Sequence, residues 1–476
     1  MQGKSDANAW VRWLLVLALA LALTVIPTRA EGAEETQYIV QYKQSVAWLL
    51  HEPSGVPFDV VSEEELDRLL NWDLLEWYEE DIDLELLEMD PQGELLAEGS
   101  LYDPRRQWNL ELIGAETGFI GEWLGQGVIV GVIDSGIAPH PAFGDRLLPG
   151  HNYIENASDP NDTTDTYGHG TMVAGLIAGA DTGGYIGVAP MARLVPLKCT
   201  DGKYIKMSAI CLAIYGGVDD YHCDVLNMSL GVPGGNKEFK ALQEAVAYAA
   251  GQGVVIVAAA GNSNSSQVEY PAGFDTVIGV GNVNRNGERY TYTNFNSSVF
   301  LSAPGFSVRS TAYTGGYATN TGTSFSAPQV TGAVAVMIGI AKAKGQKLSL
   351  EEIKDVLAQT AVDRGKPGYD VYYGFGILNL TGCVAALTGC EDFVFLALPD
   401  DPAVGIYNTT GQAAACLYLL AEYGQDGRLL SAQSFALTIP AMESVRITAP
   451  DGAASFGQFL CQADTLMPLI PARRSP

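Results

Sequence analysis

The middle of the chain is written in two alternating hydrophobic patterns. Residues 127–133 (GVIVGVI) and 253–260 (GVVIVAAA) are short, unbroken and rich in β-branched residues, which predicts strands buried on both faces. Residues 171–180 and 326–343 are runs of small and apolar residues, which predict helices packed against a sheet. Pro328 falls in the expected first turn of the second helix, so Ser324 belongs at or just before its N-terminus. These segments together predict an α/β core. Ahead of them, Tyr38-Ile39-Val40-Gln41-Tyr42-Lys43 predicts a strand, and residues 66–87 mix Leu and Trp with acids at helix-like spacing in places. After Thr388 the pattern changes to short alternating runs, residues 415–420, 429–437 and 444–448, separated by turn signals such as Gln425-Asp426-Gly427. A small antiparallel β-sandwich over residues 391–476 is expected there, with a stabilising or cell-surface accessory role.

Charge changes how the flanks are read. The chain carries 27 Lys and Arg against 55 Asp and Glu over 476 residues, a net of −28. Residues 31–100 alone hold 20 acids against Lys43 and Arg68, a net of −18. An acidic chain without a basic, aromatic-rich patch offers nothing to nucleic acid. At the extreme N-terminus, Lys4 and Arg12 precede an apolar run over residues 13–26, and Thr28-Arg29-Ala30 supplies small residues where a signal peptidase reads. That run of 14 residues falls short of the roughly 20 that span a bilayer. Secretion with cleavage near Ala30 is expected, with an uncleaved anchor as the alternative, and no later stretch is read as a membrane span.

The polar residues between the hydrophobic runs supply a chemistry. Asp134 directly follows the first buried run, in Asp134-Ser135-Gly136. His169 stands in Gly168-His169-Gly170-Thr171, and Ser324 in Gly322-Thr323-Ser324-Phe325-Ser326-Ala327-Pro328. A hydroxyl is a poor nucleophile near neutral pH, so a hydrolytic serine needs a base to take its proton and an acid to orient that base. A serine at a helix N-terminus also sits where the dipole favours the negative charge its attack creates. Gly261-Asn262, at the end of the second buried run, offers an amide to that oxyanion. A lipase-type elbow, Gly-x-Ser-x-Gly, is excluded at its last position, which is Ser326 here, and by the order of the three groups.

On these motifs, with Asn227-Met228-Ser229-Leu230-Gly231 and Ala258-Ala259-Ala260-Gly261-Asn262, the chain resembles the subtilisin-like serine proteases from about Gln107 to Leu380. The resemblance implies a parallel-sheet catalytic domain flanked by helices and an Asp134, His169, Ser324 triad with Asn262 in the oxyanion hole. It implies peptide or protein substrates lying extended beside Ser229, Leu230 and Gly231, with the segment around Gly202 to Tyr204 on the other side and Ala260 and Gly261 nearby. The segment Val268-Glu269-Tyr270-Pro271 matches the base of the primary specificity pocket, where the family often has glycine. A carboxylate there favours Lys or Arg before the scissile bond, unless Glu269 turns outward to solvent.

The same resemblance makes residues 31–106 a propeptide, a small α/β module that assists folding and covers the cleft until removed. A solvated acidic linker is the plainer reading. Arg106, in Asp103-Pro104-Arg105-Arg106-Gln107, is one candidate maturation site, and the stretch from Glu98 to Leu101 is another. The expected order is therefore a signal peptide (1–30), a propeptide (31–106), a peptidase domain (107–388) and a β-rich domain (391–476). Catalysis is expected to need no cofactor. Family members often hold a structural Ca²⁺ with an aspartate shortly after the Asp-Ser-Gly motif, where this chain reads His140-Pro141-Ala142-Phe143. The loop Ala180-Asp181-Thr182-Gly183-Gly184 adds one carboxylate, so the usual site is expected to be missing while a different calcium site stays open.

The remaining ligand-type residues point nowhere in particular. His51, His140, His151 and His222 have no metal spacing and read as loop or surface residues. The seven cysteines form no Cys-x-x-Cys, and Cys383 with Cys390 or Cys416 with Cys461 could bridge or stay buried thiols. Two classes of function follow: an exported serine endopeptidase, or a catalytically silent or propeptide-blocked binding protein on the same body.

Overall fold

The structure is a computed structural model. It describes residues 36–86 apart from 45 and 48–55, residues 107–388 apart from 116–122, 182–183 and 236, and a set of C-terminal strands between 393 and 474. The signal segment, both candidate maturation sites, His51 and Cys390 lie outside the described residues.

The N-terminal module contains strands β1 (Gln37–Tyr42) and β2 (Asp59–Ser62), helix α1 (Glu63–Asn71), and strands β3 (Leu75–Glu80) and β4 (Asp83–Leu86). The acidic stretch read as helical in places is thus one helix followed by two strands. Ser62 and Glu65 start α1 with a reciprocal capping box, and Trp72 and Asp73 close it. Beyond that turn, apolar and acidic residues alternate with period two, and Leu75 and Leu84 are buried. Strands β2, β1 and β3 form an antiparallel sheet with its own core of Val40, Val61, Leu66, Leu69 and Leu75.

The central domain runs through α2 (Trp108–Leu112), β5 (Ile129–Asp134), β6 (His151–Asn152), α3 (His169–Ala178), β7 (Arg193–Lys198), β8 (Tyr204–Lys206), α4 (Met207–Asp219), β9 (Val225–Met228) and β10 (Leu230–Pro233). It continues with α5 (Lys240–Gln252), β11 (Val255–Ala259), β12 (Glu269–Tyr270), β13 (Val277–Val283), β14 (Leu301–Pro304), β15 (Val308–Thr311), β16 (Tyr317–Asn320), α6 (Thr323–Ala343), α7 (Leu350–Thr360) and α8 (Leu380–Thr388). Seven strands make one sheet in the order β14-β13-β11-β9-β5-β7-β6, and every pairing in it is parallel.

Both faces of the sheet are covered, which is why its strands read as unbroken apolar runs. Val130, Val132, Val257 and Ala259 point into one core with α3 and α6, while Ile133, Ile256 and Ala258 point into the other with α4 and α5. Helix α6 is apolar all round because it is buried all round. By length and composition it could cross a membrane, contrary to the reading that no later stretch could, yet nearly all of it is enclosed by protein.

The C-terminal strands β17 (Phe393–Ala397), β18 (Ala403–Asn408), β19 (Ala414–Tyr423), β20 (Leu429–Ile439), β21 (Ser444–Thr448), β22 (Ser455–Gln462) and β23 (Arg473–Arg474) form two sheets, β17-β18-β21 and β20-β19-β22-β23. All their pairings are antiparallel. The register sets Cys461 opposite Leu417 and Gln462 opposite Cys416, so the two cysteines are one step out of alignment. Cys199, Cys211, Cys223 and Cys383 are buried free thiols, and Cys383 meets the Thr360 hydroxyl at 3.2 Å.

Candidate active site

The chemical positions converge because neighbouring strands of a parallel sheet deliver them from their carboxyl ends. Asp134 ends β5, Ser229 follows β9, and Gly261 and Asn262 come just after β11. The N-termini of α3 and α6 bring His169 and Ser324 to the same edge.

Each side chain is held by its local structure. Gly168 precedes His169 with a φ of 101°, and a side chain there would run into the Tyr313 ring. Asp165 caps α3: its Oδ1 accepts the N–H groups of Tyr167 and Gly168 at 3.0 and 2.7 Å, and its Oδ2 accepts the Thr171 N–H and hydroxyl at 2.9 and 2.6 Å. The Ser135 hydroxyl donates to Asp165 at 2.9 Å and accepts the Gly170 N–H at 2.9 Å, tying the end of β5 to the helix. Sequence reasoning missed Asp165, whose only signal was an acid a few residues ahead of a helix start.

Asp134 and His169 are both fully buried, and His169 Nδ1 lies 2.8 and 2.9 Å from the two Asp134 oxygens. With Nδ1 donating to a carboxylate, Nε2 is left as the basic nitrogen. It has no hydrogen-bond partner. Ser324 is the second residue of α6, earlier than Pro328 alone suggested, because the helix tolerates the proline five residues from its start. Pro328 has no N–H to give the Ser324 carbonyl, which accepts the Ser229 hydroxyl at 2.9 Å instead. The Ser324 hydroxyl donates to the Ser229 carbonyl at 3.2 Å. Hydrogen bonds of this kind commonly reorganise when substrate arrives.

Asn262 is oriented from the same helix. Its Oδ1 accepts the Thr323 N–H at 2.9 Å and the Thr323 hydroxyl at 3.0 Å, so Nδ2 faces away, shielded and without a partner. The Ala260 N–H donates to the Val280 carbonyl at 3.0 Å, and its own carbonyl accepts from Asn294 at 3.1 Å. Asn294 also accepts the Ser263 and Ser265 N–H groups, both at 3.0 Å. It carried no signal in the sequence, since its partners, from Ala260 to Glu269, lie 25 to 34 residues upstream.

Glu269 turns inward. It is 3% exposed, its Oε1 accepts from Asn294 Nδ2 at 2.7 Å, and its Oε2 has no partner. The carboxylate lies against Gly231 and Gly261, where a Cβ on either glycine would collide with it. Burial pushes its pKa up to about 7, Asn294 pulls the other way, and Glu85 adds to the rise. His140 lies in a loop, as expected, but it is not on the surface. It is buried, with Nε2 2.9 Å from the Gly316 carbonyl, Nδ1 accepting the Ala142 N–H, and edge contacts to Phe143 and Tyr317.

The cleft beside these groups is filled by the chain itself. Strand β4 lies between β8 and β10, with Leu86 opposite Leu230, Glu85 opposite Gly231 and Tyr204, and Leu84 opposite Ile205. Leu84 and Leu86 are buried there with Ile205, Met207 and Leu230. The module is fastened at two helix N-termini. Glu79 accepts the Lys240 and Ala241 N–H groups at 2.9 and 2.7 Å, and Asp81 accepts the Ser208 N–H and hydroxyl at 2.9 and 2.6 Å.

Comparison with known proteins agrees with this geometry. The profile of the subtilase family, Peptidase_S8, matches residues 125–376. The chain is 36% identical to subtilisin DY of Bacillus licheniformis over 282 residues, covering 57% of this chain and 96% of that one. It is 32% identical to subtilisin NAT of Bacillus subtilis subsp. natto over 391 residues, covering 78% and 97%. It is also 32% identical to the minor extracellular protease Epr of Bacillus subtilis (strain 168) over 282 residues, covering 58% and 41%.

Proposed function

Since the chain belongs to the subtilase family and is a serine endopeptidase, we propose that it is secreted as a self-covered precursor and cuts peptides through Asp134, His169 and Ser324. The observation that carries the catalytic assignment is the buried Asp134–His169 pair, which leaves one basic nitrogen unpaired at the edge where Ser324 sits. Nε2 takes the Ser324 proton as Oγ attacks the substrate carbonyl, and the new C–O bond makes a tetrahedral oxyanion. The free Asn262 Nδ2 donates to that oxyanion. Nε2 then gives its proton to the departing amine, and water repeats the sequence to release the acyl group. A silent binding protein is not favoured by these likenesses.

Glu269 supports a preference for Lys or Arg before the scissile bond. Its unpaired, desolvated oxygen, which lies against Gly231, gains a partner when a cation enters. Strand β4 supports the precursor reading: it adds to β8 and β10 as an extended substrate would. It ends opposite Leu230, next to Ser229, which favours a first cut within a few residues after Leu86, ahead of both sites expected from the sequence. The similarity to an extracellular protease and the N-terminal apolar run favour secretion. The test is hydrolysis of peptides with Arg, Lys, Phe or Leu at P1 by the purified chain, with Ser324→Ala as control, and N-terminal sequencing of the mature form. Residual hydrolysis by Ser324→Ala would remove the nucleophile assignment, and a mature N-terminus at Gln107 would restore Arg106.

A further inference from the structure

The corner that corresponds to the family's calcium site is built around a different cation. Arg146, in the short helical turn Gly144–Arg146, sends its guanidinium into a ring of backbone carbonyls. Nη1 donates to the oxygens of Ala178 and Pro190, the latter at 2.6 Å. Nη2 donates to Ala142 and reaches toward Ala180 at 3.5 Å. Ala142 stands where the family's aspartate ligand falls, Ala178 is the last residue of α3, and Ala180 opens the loop that follows it.

This arrangement does what an oxygen-bound metal does and excludes one. Helix α3 ends in carbonyls with no intrahelical partner, at the negative end of its dipole. A planar fork of five donors satisfies several at once and remains charged. Burial lowers the Arg146 pKa, as it does for any desolvated cation, with Asp145 acting in the other direction. Calcium needs six to eight oxygens and charged ligands. The one carboxylate of the loop, Asp181, is already used, accepting the Tyr185 N–H at 2.8 Å and the Tyr317 hydroxyl. No cluster of three or more His, Cys, Asp or Glu able to hold a metal occurs among the described residues. Gln107 locks the far side of the loop, taking the Ile186 N–H at 3.1 Å and donating to its carbonyl at 2.7 Å. The donor set therefore does not fit calcium, and a dication there would meet a fixed positive charge.

We propose that Arg146 is the resident cation of this carbonyl cage, an internal replacement for a structural metal, so that the corner holding α3 and His169 is stable without calcium. The experiment uses the full chain in a Ser324→Ala background, which removes self-digestion, and reads the thermal unfolding midpoint with a calcium chelator or with excess calcium. The parent is expected to unfold at the same temperature in both. Arg146→Ala is expected to fall by about 5 °C or more in chelator, with Arg146→Lys in between, because an ammonium cannot fork across four carbonyls. Ala142→Asp, which restores the carboxylate while keeping the guanidinium, is expected to gain no calcium-dependent rise. A parent stabilised by calcium, an Arg146→Ala or Arg146→Lys chain as stable as the parent, or an Ala142→Asp chain stabilised by calcium would each overturn the assignment. If Arg146→Ala does not fold, the lysine variant carries the same test.

Discussion

Glu269 shows how much one side chain can change a site built from familiar parts. With its pKa near 7, it is largely neutral in acid and ionised above neutrality. Selectivity for Arg over Phe at P1 should therefore rise as pH increases through about 7, and kcat/KM ratios across that range measure it. Glu269→Gly should lower the ratio by on the order of 10²-fold, the loss of a buried charge partner. The same group bears on stability. Its folded pKa lies above the ordinary 4.5, so its favourable contribution is complete below about 4.5 and lost as pH rises through about 7, which Glu269→Gln should abolish in the pH dependence of unfolding. Asn262→Ala should cost about 10²- to 10³-fold in kcat with little change in KM, because in the proposed mechanism its amide acts on the oxyanion and not on the ground state. Asp134, His169, Ser324 and Asn262 were all legible in the sequence as residues, since each is flagged by its neighbours. Asn294 was not, because its contacts join segments that the sequence keeps apart.

Elements place these residues through their ends. The first turn of helix α3 is held by Asp165, so Asp165→Ala should destabilise the fold by about 1–2 kcal/mol and also lower kcat, since Thr171, whose N–H it accepts, and His169 share that turn. The capping box of Ser349 and Glu352 on α7 makes the control. Ser349→Ala should cost about 0.5–2 kcal/mol in chemical denaturation and leave kcat unchanged. Helix and strand interiors were readable from period and composition, as β5, β11 and α6 show. Their ends were not, and the helix-like spacing read in places over residues 66–87 holds only to Asn71, because the turn at Trp72 and Asp73 resets the period and two strands follow.

At the scale of the whole molecule, the acidic N-terminal module is bound by its own carboxylates. Glu79 and Asp81 reach two helix N-termini, yet desolvation outweighs those hydrogen bonds and raises both pKa values. Glu269 is raised as well, in part by Glu85 on the covering strand. A docked pKa above the free one means that docking is strongest below the free carboxylate range and weakens as pH rises through the docked values. In the Ser324→Ala chain, hydrogen exchange at Leu84 and Leu86, corrected for intrinsic rates, should show less protection near pH 8 than near pH 5. Equal protection at both would remove the carboxylates from control of the cover.

The sequence by itself determined the layered α/β plan and the candidate groups Asp134, His169 and Ser324, because these residues and the buried strands are each announced by residues adjacent in the chain. Only the tertiary structure decided which way Glu269 faces, that β4 fills the cleft, and that Arg146 stands among the carbonyls beside Ala142. These depend on burial and on contacts between distant segments, and local pattern carries no record of either.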